Sequence, residues 1–113
     1  MESTRQKKVN RLLQRDLGSY FQQNGSNFAK GSMITVTGVR VSPDLGLAKV
    51  YLSIFGGEEP QAVVDMIIKR SREVRKDLAS RVRNQLRVTP DLNFYLDDSL
   101  DHIENIDDLL KNG

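Results

Sequence analysis

The chain contains no cysteine, a single histidine, and no apolar run longer than a few residues. Without cysteine there is neither a disulfide framework nor a thiolate metal site, so the fold must stand on packing alone, as suits a reducing cytosol. The short apolar runs exclude a membrane-spanning helix, and the opening MESTRQKK is charged where a signal peptide would need an apolar stretch. Nucleophilic catalysis lacks its parts as well: His102 stands among acids with no serine motif to serve and reads as a surface histidine. None of the eight glycines falls at the spacing of a phosphate-cradling loop, which argues against a nucleotide cofactor. Asp97, Asp98 and Asp101 form an acidic cluster, but without the twelve-residue loop and bidentate glutamate of a calcium site. Their simpler role is at a helix N-terminus, where Asp98 or Ser99 caps and acids offset the helix dipole. The sequence therefore suggests no catalytic residue, no metal and no cofactor.

What is present is enough for one domain. The 113 residues, 38% of them apolar, can build one core but not two, so residues 1–113 are read as a single unit. Residues 4 to 23 repeat Val9, Leu12, Leu13, Leu17, Tyr20 and Phe21 at helical spacing, with Ser3 or Thr4 as N-cap. A Gly- and Asn-rich loop, 24–32, ends that helix. In MITVTGVRVS the apolar parity changes, Ile34 and Val36 on one phase and Val39 and Val41 on the other, as a β-bulge at Gly38 would produce. A turn at 42–46 and the strand LAKVYLSIF complete a hairpin.

After Gly56 and Gly57, Pro60 suits the first turn of a helical pattern whose inward stripe runs from Val63 to Leu86. Its length of about 27 residues suggests a break near Arg70 to Arg72. LNFYL is a third strand, and Leu100, Ile103, Ile106 and Leu110 imply a short C-terminal helix in an acidic tail, about 98–113. The order α-β-β-α-α-β points to an α+β fold: a three-stranded sheet covered on one face by helices, its other face wet.

Net charge is only +2, but it is unevenly spread. Residues 1–30 carry six Lys/Arg against two Asp/Glu, residues 69–87 eight against two, and residues 91–113 one against seven. Two basic segments followed by an acidic tail are the footprint of a polyanion-binding protein. Projected at 100° per residue, Lys69, Arg72, Lys76, Arg83 and Arg87 fall within about 60° of one another, a cationic ridge away from the apolar stripe. A merely solvated face would interleave acids with bases; here Glu73 and Asp77 sit on the flank. Arg5, Lys7, Lys8, Arg11 and Arg15 offer a second basic surface. Most of the seven Phe and Tyr residues are phased with the core, Tyr51 and Tyr95 being the candidate exceptions for base stacking.

The run ITVTGVRVSPDLGLAKVYLSI, and later VRKDLASRVRNQLRVTPDLNFYLDDSLDHIENIDDLL, closely resembles the bacterial ribosome-binding factor A family. Its most specific pieces are Val41-Ser42-Pro43-Asp44-Leu45 with Ala48-Lys49-Val50-Tyr51, and Thr89-Pro90-Asp91-Leu92-Asn93-Phe94 with Asp97-Asp98-Ser99. The resemblance implies a type II KH-like fold and a cytoplasmic, non-enzymatic assembly factor that binds the 30S subunit and 16S ribosomal RNA. It also implies help with late maturation of that RNA, with importance for growth in the cold. Two features depart from the family. Arg70-Ser71-Arg72 stands where a small Ala-x-Gly segment usually kinks the central helices, which puts that kink in question and would lengthen the ridge. The usual Asp-Pro-Arg before the first strand is replaced by Asn24 to Gly31.

On this reading Lys69, Arg72, Lys76, Arg83, Arg87, Arg5, Lys7, Lys8 and Arg11 contact RNA, in a monomer with no membrane partner. With no GxxG loop to clamp single-stranded nucleotides, little sequence preference is expected. The competing readings are a protein-interaction adaptor whose acidic tail binds a basic partner, and, more remotely, a small nuclease built on the tail aspartates.

Overall fold

Ser3 starts the first helix by a reciprocal cap: its hydroxyl accepts the Gln6 backbone N–H at 3.1 Å, and the Gln6 side chain accepts the Ser3 N–H at 2.8 Å. A computed structural model describes residues 2–97, and helix α1 runs over Thr4–Asn24. Gln6 is itself buried and donates to the Val41 carbonyl at 3.1 Å, while the Asn10 side chain accepts the Val41 N–H at 2.8 Å. The helix is thus tied to the end of the first strand by two side chains that pair with the backbone N–H and C=O of Val41. Val9, Leu13, Leu17, Tyr20 and Phe21 form its buried stripe.

A short 3-10 turn, Gly25–Asn27, leads to strand β1, Met33–Val41, which pairs antiparallel with β2, Leu47–Phe55. The register jumps from Val36↔Leu52 to Gly38↔Tyr51, leaving Thr37 as the extra residue of a bulge. That one insertion lets Ile34, Val36, Val39 and Val41 all face the core despite their change of parity. In the hairpin turn the Asp44 carboxylate accepts the Ser42 hydroxyl at 2.6 Å and the Gly46 N–H at 3.0 Å. After β2, Gly57 adopts φ +65°, and a Cβ there would lie 2.4 Å from the Ser32 hydroxyl and 3.0 Å from the Gly31 backbone.

Helix α2, Pro60–Lys69, begins with Pro60 at its first turn and with the Glu59 carboxylate accepting the Ala62 N–H at 3.0 Å. It stops at Arg70, whose φ of −108° and ψ of 22° are not helical, and α3 then covers Ser71–Val82. Strand β3, Asp91–Leu96, lies parallel to β2, giving the sheet order β1-β2-β3. The fold is therefore α+β in the type II KH-like order, with a mixed sheet rather than a purely antiparallel one. Val63, Val64, Ile67, Val74, Leu78 and Val82 from α2 and α3 join α1 over Ala48, Val50, Leu52, Leu92 and Phe94 of the sheet. The opposite sheet face stays open, with Met33 65% and Phe55 73% exposed. The expected C-terminal helix and the acidic tail, 98–113, lie outside the described residues.

Candidate nucleic-acid interface

The cations expected to form one helical ridge are held by three different pieces of chain. Lys69 closes α2, Arg72 and Lys76 lie on α3, Arg83 caps α3, and Arg87 stands in the irregular segment that follows. The continuous ridge of four or five turns is therefore corrected to a shorter one. Arg72, Lys76 and Arg83 remain within about 40° of each other, because α3 keeps helical geometry through its cap. The projection does not apply to Lys69, on a separate helix, or to Arg87, beyond the helix end.

All five side chains are exposed, and among the described residues none is in an ion pair. The nearby acids are engaged elsewhere: Glu73 pairs with Arg70 at 2.7 Å and Asp77 with Arg81 at 2.5 Å. The Arg70 guanidinium, by hydrogen bonding and then by charge, holds the Glu73 carboxyl below its usual range. The positive charge left over is concentrated on the solvent side of α3, opposite Val74, Leu78 and Val82.

On α1, Arg5, Lys7, Lys8, Arg11 and Arg15 are exposed, and among the described residues only Arg15 has an acid partner, Asp16 at 3.3 Å. Lys8, Arg11 and Arg15 lie opposite the buried stripe and Lys7 on its flank, so α1 and α3 both turn cations away from the sheet. Positive charge in the first turns of a helix opposes its dipole, and α1 has no acid there to compensate. The helix dipole therefore disfavours Arg5, Lys7 and Lys8 where they stand.

Two arginines outside the expected RNA-contacting set position this surface. Arg70 replaces flexibility at the break with a clamp: its guanidinium donates to the Asn27 carbonyl at 2.9 Å, pairs with Glu73, and sits 4.4 Å from the centre of the Phe28 ring. The kink thus survives without a small residue. Arg75 donates to the carbonyls of Thr89 at 2.6 Å and Pro90 at 3.1 Å, fastening α3 to the segment that enters β3. Between the break and the edge of β3 lies a shallow cleft of about 330 Å3 bordered by Ile68, Ser71, Asn93 and Tyr95. Among the described residues there is no group of metal-ligating side chains; Asp97 is described, whereas Asp98, Asp101 and His102 are not.

Comparison with known proteins matches residues 5–110 to the family model of ribosome-binding factor A. The chain belongs to the ribosome-binding factor A family. Ribosome-binding factor A of Cytophaga hutchinsonii is 41% identical over 111 residues, covering 98% of this chain and 84% of that protein. The Flavobacterium psychrophilum protein of the same name is 43% identical, covering 97% and 85%. The crystal structure of ribosome-binding factor A from Thermus thermophilus superposes with a TM-score of 0.68 at 25% identity, covering 80% of this chain and 94% of that one. A Thermus thermophilus coordinate set fitted into a cryo-EM map of a 30S complex with the same factor superposes with a TM-score of 0.62 at 29% identity, covering 77% and 89%. Among the described residues no helix is long and apolar enough to cross a membrane.

Proposed function

We propose that this chain is a small-subunit assembly factor that binds immature 16S ribosomal RNA and assists its late maturation, acting as a cytoplasmic monomer and making or breaking no bond. The observation that carries this reading is the set of exposed cations on α1 and α3 whose acid neighbours are already taken, in a chain whose relatives are named for ribosome binding. Arg72, Lys76 and Arg83 contact RNA phosphates from α3, Lys69 and Arg87 extend the contact at either end, and Arg5, Lys7, Lys8 and Arg11 supply a second row. Such contacts position a protein on RNA without reading bases. Specificity then comes from the folded shape of the immature subunit, and growth in the cold is where its loss has most effect, because misfolded RNA escapes slowly there.

The reading is tested by sedimenting the chain with 30S subunits, mature and immature, at increasing salt. Co-sedimentation with the immature particles that is lost as salt rises is expected. A chain that remains at the top of the gradient, or whose association ignores salt, is not such a factor.

A further inference from the structure

The open face of the sheet carries an arrangement that neither the core nor the helical cations use. Bulge and register together set its outward side chains in rows across the three strands. One row is Arg40, Lys49 and Asn93; the next is Gly38, Tyr51 and Tyr95. The two tyrosine rings stack, with centroids 5.6 Å apart and planes 29° from parallel, and Tyr95 is 41% exposed. Beside Tyr51 the place of a side chain is empty: a Cβ on Gly38 would meet only Tyr51 Cδ2, at 3.9 Å. A depression of about 360 Å3 runs from Tyr51 to Arg40, Lys49, Ser42 and Glu2.

We propose that this face is a second nucleic-acid site, a stacking platform for single-stranded RNA, with bases on Tyr51 and Tyr95 and phosphates on Arg40 and Lys49. This rests on the RNA-binding reading above and adds to it a different surface with a different ligand. Charge favours a polyanion. Among the described residues Arg40 and Lys49 have no acid partner, whereas the acids at the rim are occupied: Glu2 by the Asn10 amide at 2.8 Å, Asp91 by Arg75 at 3.5 Å, and Asp97 by the Thr37 hydroxyl. The rings favour exposed bases, because every base has a π-face, and only an unpaired strand presents it. The pleat places the cation row two residues, ~7 Å, from the ring row. A base lying on a ring therefore brings its own backbone to the cations. Asn93 adds an amide that can donate and accept at a base edge.

A stacked cross-strand pair also steadies a sheet, so the test must read more than stability. The full chain is titrated with two probes, a ten-nucleotide oligouridylate and a blunt RNA duplex. Three proteins are compared with wild type: Tyr51→Leu/Tyr95→Leu, Tyr51→Phe/Tyr95→Phe, and the helical set Arg72→Gln/Lys76→Gln/Arg83→Gln. Loss of stacking costs roughly 5- to 150-fold per base. The leucine pair is expected to lose at least about tenfold in oligouridylate affinity while duplex affinity holds, and the phenylalanine pair to keep both. The helical set should lose duplex binding in preference. Intrinsic emission gives an independent signal, since the chain has three tyrosines and no tryptophan, and Tyr20 is buried. Oligouridylate should quench the wild type but not the leucine pair.

If wild type binds duplex but not oligouridylate, or if the leucine pair loses neither affinity nor quenching, the platform is wrong and the helical reading stands. If duplex and single strand weaken equally in the leucine pair, the rings support the fold and not a ligand, which overturns the proposal. If wild type binds neither probe, the platform is wrong, and the helical reading is decided separately by sedimentation with 30S subunits.

Discussion

Neutralising Arg72, Lys76 and Arg83 separates an RNA-binding surface from a solvated helix face, because the structure assigns these three side chains no work inside the protein. All are exposed, and among the described residues none has an acid partner. Arg72→Gln removes a cation from the first turn of α3, where the dipole disfavours it, and Arg83→Gln removes one from the last, where the dipole favours it. These end effects offset each other, so the triple variant should unfold within about 0.5 kcal/mol of wild type in urea. Binding should respond differently. Each phosphate neutralised contributes roughly 0.7 to 0.9 to the slope of log affinity against log salt. Five contacts from Lys69, Arg72, Lys76, Arg83 and Arg87 contribute about −3.5 to −4.5 to the slope, beside what the α1 row adds, and the triple variant should reduce its magnitude by about 2 to 3. The assay is association with immature 30S subunits between low and moderate salt, with Lys30→Glu/Gln61→Glu, two exposed positions whose substitution also lowers the charge by three, as a control for net charge. An unchanged slope, or an equal change in the control, would refute the reasoning.

Other consequences follow from the packing and the loops. Leu78, 1% exposed beneath α1 and the sheet, should cost about 2–5 kcal/mol as Leu78→Ala, measured by chemical denaturation. Gly57→Ala should destabilise by more than about 1 kcal/mol, since its φ is positive and its Cβ would strike Ser32 and Gly31; an unchanged melting temperature would contradict the tight approach. Arg75→Lys should lose about 1 kcal/mol, because one ammonium cannot reproduce the fork that reaches Thr89 and Pro90, and exchange of the β3 amides should quicken. The Glu73 carboxyl is held down by Arg70 and that of Asp44 by Ser42 and the Gly46 N–H. Folded values below unfolded ones mean stability that is complete above the ordinary carboxylate range and is lost as pH falls through the depressed values. Carboxyl titration by NMR should place Glu73 below its ordinary 4.5, and Arg70→Ala should return it there.

Much of the fold was legible because its signals are local. The parity change across Gly38 announced the bulge, Pro60 marked a helix start, and the Val63 to Val82 stripe marked what α2 and α3 bury, except that Ile68, expected inward, is 47% exposed just before the break. The end of α3 was not legible: Leu86 continues the helical period, yet it is buried from a turn after Val82. Neither was the reason for the break at Arg70, whose partners Asn27 and Phe28 lie more than forty residues away in the chain. For the site, exposure followed from helical phase, but a single projection joined Lys69 and Arg87 to α3, although backbone geometry separates them. The stacking of Tyr51 on Tyr95 depends on β3 lying parallel beside β2, a tertiary choice that alternation within either strand does not specify.

The account rests on which surface meets small-subunit RNA, and crosslinking reads that directly. A photoreactive side chain at position 76, on the outer side of α3, is compared with one at position 58, in the exposed loop after β2, each bound to immature 30S subunits and mapped by reverse transcription. Position 76 should join 16S ribosomal RNA at a small number of nucleotides, and position 58 should not. Crosslinks from position 76 to ribosomal proteins alone, or equal RNA crosslinking from both positions, would contradict an RNA interface built on the helices.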